Sequence, residues 1–261
     1  MQGHIEAMND TRELPFSRTL EHVFRFGYWT RRLGGPPQGD SLPDIIVSRK
    51  MGLICAAIPL CGTMALKRFF RSNSRVDFEA EQLRDTVPNV LRSKLGGETR
   101  LLFSVVRNPW SRVVSCYEKK IRGAYIKRSY LGYRGIAILA AHDGLSTTMS
   151  FDEFVEWLCD ERGQDEVANR HWMSQYRFLS LSEVESKYDQ IIRLESMEKD
   201  LNALLMRQGL PYQDITKMNS SATTASGRLY ATTNQYYKPK TINAVGDRYA
   251  RDIELFGYDF C

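Results

Sequence analysis

The sequence has no apolar run approaching the roughly 18 to 20 residues that a membrane span requires, and its opening MQGHIEAMNDTRELPFSR lacks the apolar stretch of a secretory signal. A soluble protein of the cytoplasm is therefore expected, with at most peripheral membrane contact. Cysteine is scarce: Cys55, Cys61, Cys116, Cys159 and Cys261 form a scattered set of 5 with no C-x-x-C pair. An odd set of this kind excludes a closed disulfide framework and a zinc ribbon. No metal is expected, and only 4 histidines are available for acid–base work near neutral pH. Repeats and low-complexity tracts are absent. So is G-x-x-x-x-G-K-[ST], which argues against an ordinary nucleoside-triphosphate loop.

What is present is a chain of 261 residues, 43% hydrophobic, enough for a substantial core. The polar first 40 residues end in the Gly/Pro break RRLGGPPQGD and read as an N-terminal arm, leaving residues 41–261 as a single domain. Lysine and arginine total 36 against 31 acidic residues, a net charge of +5. That bias favours anionic ligands without calling for nucleic acid, and no nucleic-acid partner is expected. The densest basic stretch, YEKKIRGAYIKRSYLGYRG, interleaves Lys119, Lys120, Arg122, Lys127, Arg128 and Arg134 with Tyr125, Tyr130 and Tyr133. It reads either as a grip for an acidic polymer or as a solvated helix face running into a loop.

MGLICAAI and RLLFSVV are short, nearly continuous apolar runs, each followed at once by a turn and a helical pattern, as buried parallel strands are. YDQIIRLE is a third candidate strand. SFDEFVEWLCDE predicts an amphipathic helix with Phe151, Phe154, Val155 and Leu158 on one face and a Ser150/Glu153 capping box. MEKDLNALLMRQG predicts another, closed by Gly209, and RYARDIELFGYDF a last helix packed on the sheet. Strands alternating with helices predict an α/β domain with a central parallel sheet flanked by helices.

Two strand-to-helix turns stand out. In IPLCGTMALKRFF, residues Leu60, Cys61, Gly62, Thr63 and Met64 would present backbone N–H groups at a helix N-terminus, with the Thr63 hydroxyl as a further donor. In SVVRNPWSRVVSCYEKK, Pro109 suits the first helical position, Arg107 sits at the carboxyl end of the strand, and Ser115 lies one to two turns into the helix. A guanidinium and a hydroxyl at a helix start form a phosphate clamp. Two anion loops at the ends of parallel strands imply a ligand with two separate phosphate groups.

These two stretches, with SFDEFVEWL, NRHWMSQYRFL, YDQIIRLESMEKDLNALL and YYKPKTINAVGDRYARDIELFGYDF in the same order, resemble the carbohydrate branch of the sulfotransferases that use 3′-phosphoadenosine 5′-phosphosulfate (PAPS), over roughly residues 45–260. The resemblance implies the P-loop-kinase-like sulfotransferase fold, PAPS as donor, 3′-phosphoadenosine 5′-phosphate (PAP) as product, and a glycan acceptor. It assigns Leu60 to Met64 to the 5′-phosphosulfate and Arg107 with Ser115 to the 3′-phosphate. The lack of an anchor, unlike the Golgi members of that branch, is expected of a bacterial-type soluble enzyme or of a chain separated from its anchor.

The loop departs from the family pattern at two places: Leu60 stands where a lysine usually follows the proline, and Met64 where a hydroxyl residue is common. Loss of one preorganised donor costs on the order of a hundred- to a thousandfold in rate. Lys67 is the nearest cation by sequence and a candidate for meeting the charge on the leaving oxygen. The acceptor hydroxyl must lose a proton, and His171, in the stretch resembling the family's HW motif, is the candidate base, or else a structural residue of the acceptor wall. Glu118 is a further candidate, and His142 reads as a loop residue. A relative that binds the nucleotide without turnover, and a different phosphate-handling enzyme such as a kinase, stay open as alternatives.

Overall fold

A computed structural model of the chain describes residues 44–48, 50–73, 101–122, 138–139, 141–179, 181, 188–214 and 233–260. The expected arm, and the basic stretch beyond Arg122, lie outside them. Four strands form one sheet in the order β1-β2-β3-β4: β1 is Asp44–Ser48, β2 Leu53–Ala57, β3 Leu101–Val106 and β4 Gln190–Arg193. The three strands expected from MGLICAAI, RLLFSVV and YDQIIRLE are parallel. To them the structure adds β1, a strand in DIIVS that the apolar pattern did not announce, which pairs antiparallel with β2 at the edge.

Alternation along the strands assigns side chains to two cores. One face carries Ile45, Val47, Ile54, Ala56, Leu102 and Val106. Against it pack α2 (Pro109–Cys116), α3 (Phe151–Cys159), α4 (Gln175–Phe178), α6 (Pro239–Arg248) and α7 (Ala250–Phe256). The opposite face, with Ile46, Leu53, Cys55, Leu101, Phe103 and Ile192, is covered by α1 (Thr63–Asn73) through Leu66, Phe69 and Phe70 and by α5 (Met197–Arg207) through Leu201, Leu204 and Leu205. With both faces covered, β2 and β3 are buried throughout and have no polar side, which is why they read as continuous apolar runs.

The local signals act as their chemistry dictates. Ser150 Oγ accepts the Glu153 N–H at 3.3 Å while the Glu153 carboxylate accepts the Ser150 N–H at 2.7 Å, closing the expected capping box of α3. Asn108 caps α2 by accepting the Ser111 N–H, and Pro109 occupies the first helical position. Gly209, in left-handed conformation, ends α5 with its N–H on Met206 O at 3.0 Å. α2 then widens into a π-helical turn, Tyr117–Arg122. Cys55, Cys61, Cys116 and Cys159 are free thiols. No helix among the described residues is long and apolar enough to cross a membrane.

Candidate functional site

β2 and β3 are parallel, with Ala57 opposite Val105, so Ile58–Gly62 and Arg107–Asn108 leave the same end of the sheet side by side. The first loop begins as a tight turn in which the Cys61 N–H donates to Ile58 O at 3.3 Å around Pro59 and Leu60. Leu60 has φ +69°. It holds the position of a proline-led turn that glycine usually takes, at a cost on the order of 1–2 kcal/mol for an L side chain. Strain of this sort persists where surrounding contacts over-determine it. Arg107 Nη1 supplies one such contact, donating to Leu60 O at 3.1 Å.

Gly62 is also left-handed, at φ +75°, and a Cβ there would stand 2.7 Å from Leu194 Cδ1. The chain therefore enters α1 with the Gly62 carbonyl accepting the Leu66 N–H at 3.0 Å. The N–H groups of Gly62, Thr63, Met64 and Ala65 have no acceptor among the described residues. Four donors at the positive end of an 11-residue helix make an anion cradle. Two expected members behave differently. The Cys61 N–H is taken by the turn, and the Thr63 hydroxyl, expected to face the ligand, donates to Ile58 O at 2.7 Å. Met64 is 64% exposed beside the cradle.

From the second loop, Arg107 and Ser115 are both only 4% exposed. The Ser115 hydroxyl makes no hydrogen bond among the described residues and remains available as a donor. The two loops are joined by a residue that sequence reasoning missed, Gln175, which is 0% exposed. Its Oε1 accepts the Arg107 N–H at 2.8 Å and the Cys61 thiol at 3.1 Å, and its Nε2 donates to Arg107 O at 2.8 Å and to Asp252 at 3.3 Å. Asp252, from α7, also accepts the N–H groups of Gln175 and Tyr176, each at 2.8 Å, and so caps α4. Burial pushes its carboxyl above the usual range against the pull of those donors. Burial likewise pushes the Cys61 thiol up to about 12, so this cysteine is a packing group and not a nucleophile.

Arg112, one turn into α2 and buried, is the second residue missed. Its guanidinium donates to Pro59 O at 3.3 Å, Met173 O at 2.7 Å and Arg170 O at 3.4 Å, tying the first loop to the NRHWMSQY segment. That segment is held along its length: Tyr249 donates to Trp172 O at 2.5 Å, and the Ser174 N–H to Asp165 at 2.9 Å. Asp165 is paired in turn with Arg248 at 2.6 Å. Burial works against the Asp165 carboxylate, yet Arg248 holds it below the usual carboxylate range.

His171 is half-buried here. Its N–H and its Nδ1 both approach Asn169 Oδ1, at 3.1 and 2.5 Å. An acceptor-only partner places the proton of the neutral ring on Nδ1 and its basic lone pair on Nε2. Lys67, expected near the leaving oxygen, is ion-paired with Asp44 at 3.1 Å. Glu118 accepts from Tyr236 at 2.5 Å and Arg122 at 3.1 Å, in a cluster that shares no hydrogen bond with either loop among the described residues. His142 sits in a turn as expected but is buried against Trp172 and Trp157, with Nδ1 2.8 Å from Ile138 O.

The groups that the two loops bring to the sheet end, four backbone N–H groups and the Arg107 guanidinium, are all donors, and the nearby carboxylates are bound to other groups. They fit an anion carrying more than one acidic group. A family model described as "Sulfotransferase family" matches residues 43–259. No curated protein matches the chain.

Proposed function

We propose that this chain, which belongs to the sulfotransferase family, takes PAPS as its donor and transfers the sulfuryl group to a hydroxyl of a carbohydrate. The observation that carries the reading is the pair of donor-lined loops on adjacent parallel strands, locked together through Arg107 and Gln175. A nucleotide with phosphates on both its 3′ and 5′ positions is the ligand such a pair suits, and the donor brings an activated sulfuryl group to it. The free N–H groups from Gly62 to Ala65 bind the 5′ side and are preorganised for growing negative charge, so no reorganisation is needed during transfer. Arg107 and Ser115 bind the 3′-phosphate.

His171 is the base: Asn169 orients its ring so that Nε2 takes the acceptor proton, an effect worth about a hundred- to ten-thousandfold. Arg112 keeps that segment in register with Pro59, which matters because sulfuryl transfer, like phosphoryl transfer, depends mainly on positioning and electrostatics. Lys67 adds positive charge near the loop, while Glu118, held by Tyr236 and Arg122, is the less suited base. The carbohydrate acceptor rests on the resemblance of NRHWMSQY and the flanking stretches to the carbohydrate branch. Lys119, Lys120 and Arg122 on the π-turn favour an anionic glycan.

The donor is tested by thermal shift with PAP and ATP. PAP is expected to raise the melting temperature at concentrations where ATP does not. Preference for ATP would replace this reading with a kinase-like one.

A further inference from the structure

Asp44 opens β1 opposite Ala57, so its carboxylate stands at the sheet end from which the first loop leaves. Its two oxygens are shared between cations from distant parts of the chain. Lys67 Nζ is 3.1 Å from Oδ2, and Arg170 Nη2 is 2.8 Å from Oδ1. Lys67 lies one helical turn beyond Thr63, on the same face of α1. Arg170 is held close by its own backbone, since its carbonyl and that of Pro59 share the Arg112 guanidinium. Both cationic side chains are 25% exposed, and Arg170 Nε is buried with no hydrogen bond among the described residues.

Two cations on one carboxylate leave a net positive charge beside a loop whose own residues, Leu60 to Met64, carry none. Without Asp44 the two would repel, and with it they are fixed in place. Asp44 is suited to this: burial alone would raise its carboxyl, but Arg170 and then Lys67 hold it below the usual range.

We infer that Asp44 clamps Lys67 and Arg170 as the cationic wall of the 5′-phosphosulfate loop, supplying there the positive charge that Leu60 does not. The inference rests on the donor reading above. It makes Arg170 a positioning and charge-supplying residue for the 5′ side, with no part in holding the 3′-phosphate.

The test is calorimetric titration of the full chain with PAP, adenosine 5′-phosphate and adenosine 3′-phosphate. Arg170→Met and Lys67→Met are each expected to weaken PAP and adenosine 5′-phosphate about tenfold, the scale of one charge-assisted contact at a partly exposed site. Affinity for adenosine 3′-phosphate should not change. Leu60→Lys added to Arg170→Met should recover most of the loss by placing a cation in the loop itself. Arg170→Lys, which keeps the charge and the pairing to Asp44, should bind nearly as wild type and guards against a folding artefact. Unchanged 5′-phosphate affinity in both methionine variants, or equal losses for the 3′ and 5′ ligands, would overturn the inference while leaving the donor reading intact. A wild-type chain that binds no PAP would overturn both.

Discussion

Replacing Gln175 with methionine removes the buried amide that joins the two loops while nearly preserving its volume. The variant takes away the amide that engages the Arg107 N–H and Arg107 O, both at 2.8 Å, in a residue that is only 4% exposed. A buried backbone group left unsatisfied costs about 1–3 kcal/mol, so the two together cost about 2–6 kcal/mol. The Cys61 thiol adds little, because S–H is a weak donor. In a chain of this size each kcal/mol shifts the melting temperature by about 2–4 °C, so a fall of roughly 4–24 °C is expected by scanning calorimetry. The loops also lose their common anchor, and PAP affinity, measured on the folded fraction below the transition, should fall with the stability. A variant that melts within about 2 °C of wild type, on that same scale, and binds PAP equally well would refute the role given to Gln175.

Gly62→Ala places a Cβ 2.7 Å from Leu194 Cδ1 at a φ of +75°. The backbone conformation alone costs about 1–2 kcal/mol, so calorimetry should record a lower melting temperature and titration a weaker hold on adenosine 5′-phosphate; wild-type values for both would contradict the loop geometry. His142 titrates below its ordinary 6.5 because burial disfavours the charged ring, with the Ile138 carbonyl opposing in part. Its neutral form therefore contributes stability in full above pH 6.5, and that contribution is lost as pH falls through the lower folded-state value. Denaturation across this range should show a slope that His142→Phe removes, and identical slopes would contradict the assignment. Arg112→Met should lower the melting temperature and loosen both Pro59 and the His171 segment, seen as faster hydrogen exchange at Cys61 and Trp172 together; exchange that rises at one segment alone would refute the coupling.

The parallel strands β2 and β3 were legible because burial on both faces turns each into an apolar run that ends at a turn. β1 was not, since DIIVS is a short run flanked by polar residues whose strand character comes from pairing with β2. The cradle was legible because backbone donors depend only on a glycine turn entering a helix. The use of the Thr63 hydroxyl was not: its proton goes to Ile58 O, a partner set by the turn rather than by residue type. Gln175, Arg112 and Asp44 escaped notice for a common reason. Each acts on groups far away in sequence, as with Gln175 on Arg107 and Arg170 on Asp44, so no local spacing announces them. Arg107 and His171 could be named from their stretches, but the setting of Arg107, the carbonyl of the strained Leu60, comes from tertiary packing, while that of His171, the Asn169 amide two residues away, lies in its own stretch.

The most direct test is transfer of labelled sulfate from PAPS to a panel of carbohydrate acceptors, with Arg107→Ala measured beside the wild-type chain. The expected result is a labelled glycan formed by the wild-type protein and a loss of about ten- to a hundredfold in kcat/KM in the variant, the scale of removing one charge-assisted contact to a phosphate. Absence of transfer by a chain shown to bind PAP, or transfer undiminished by loss of Arg107, would contradict the account.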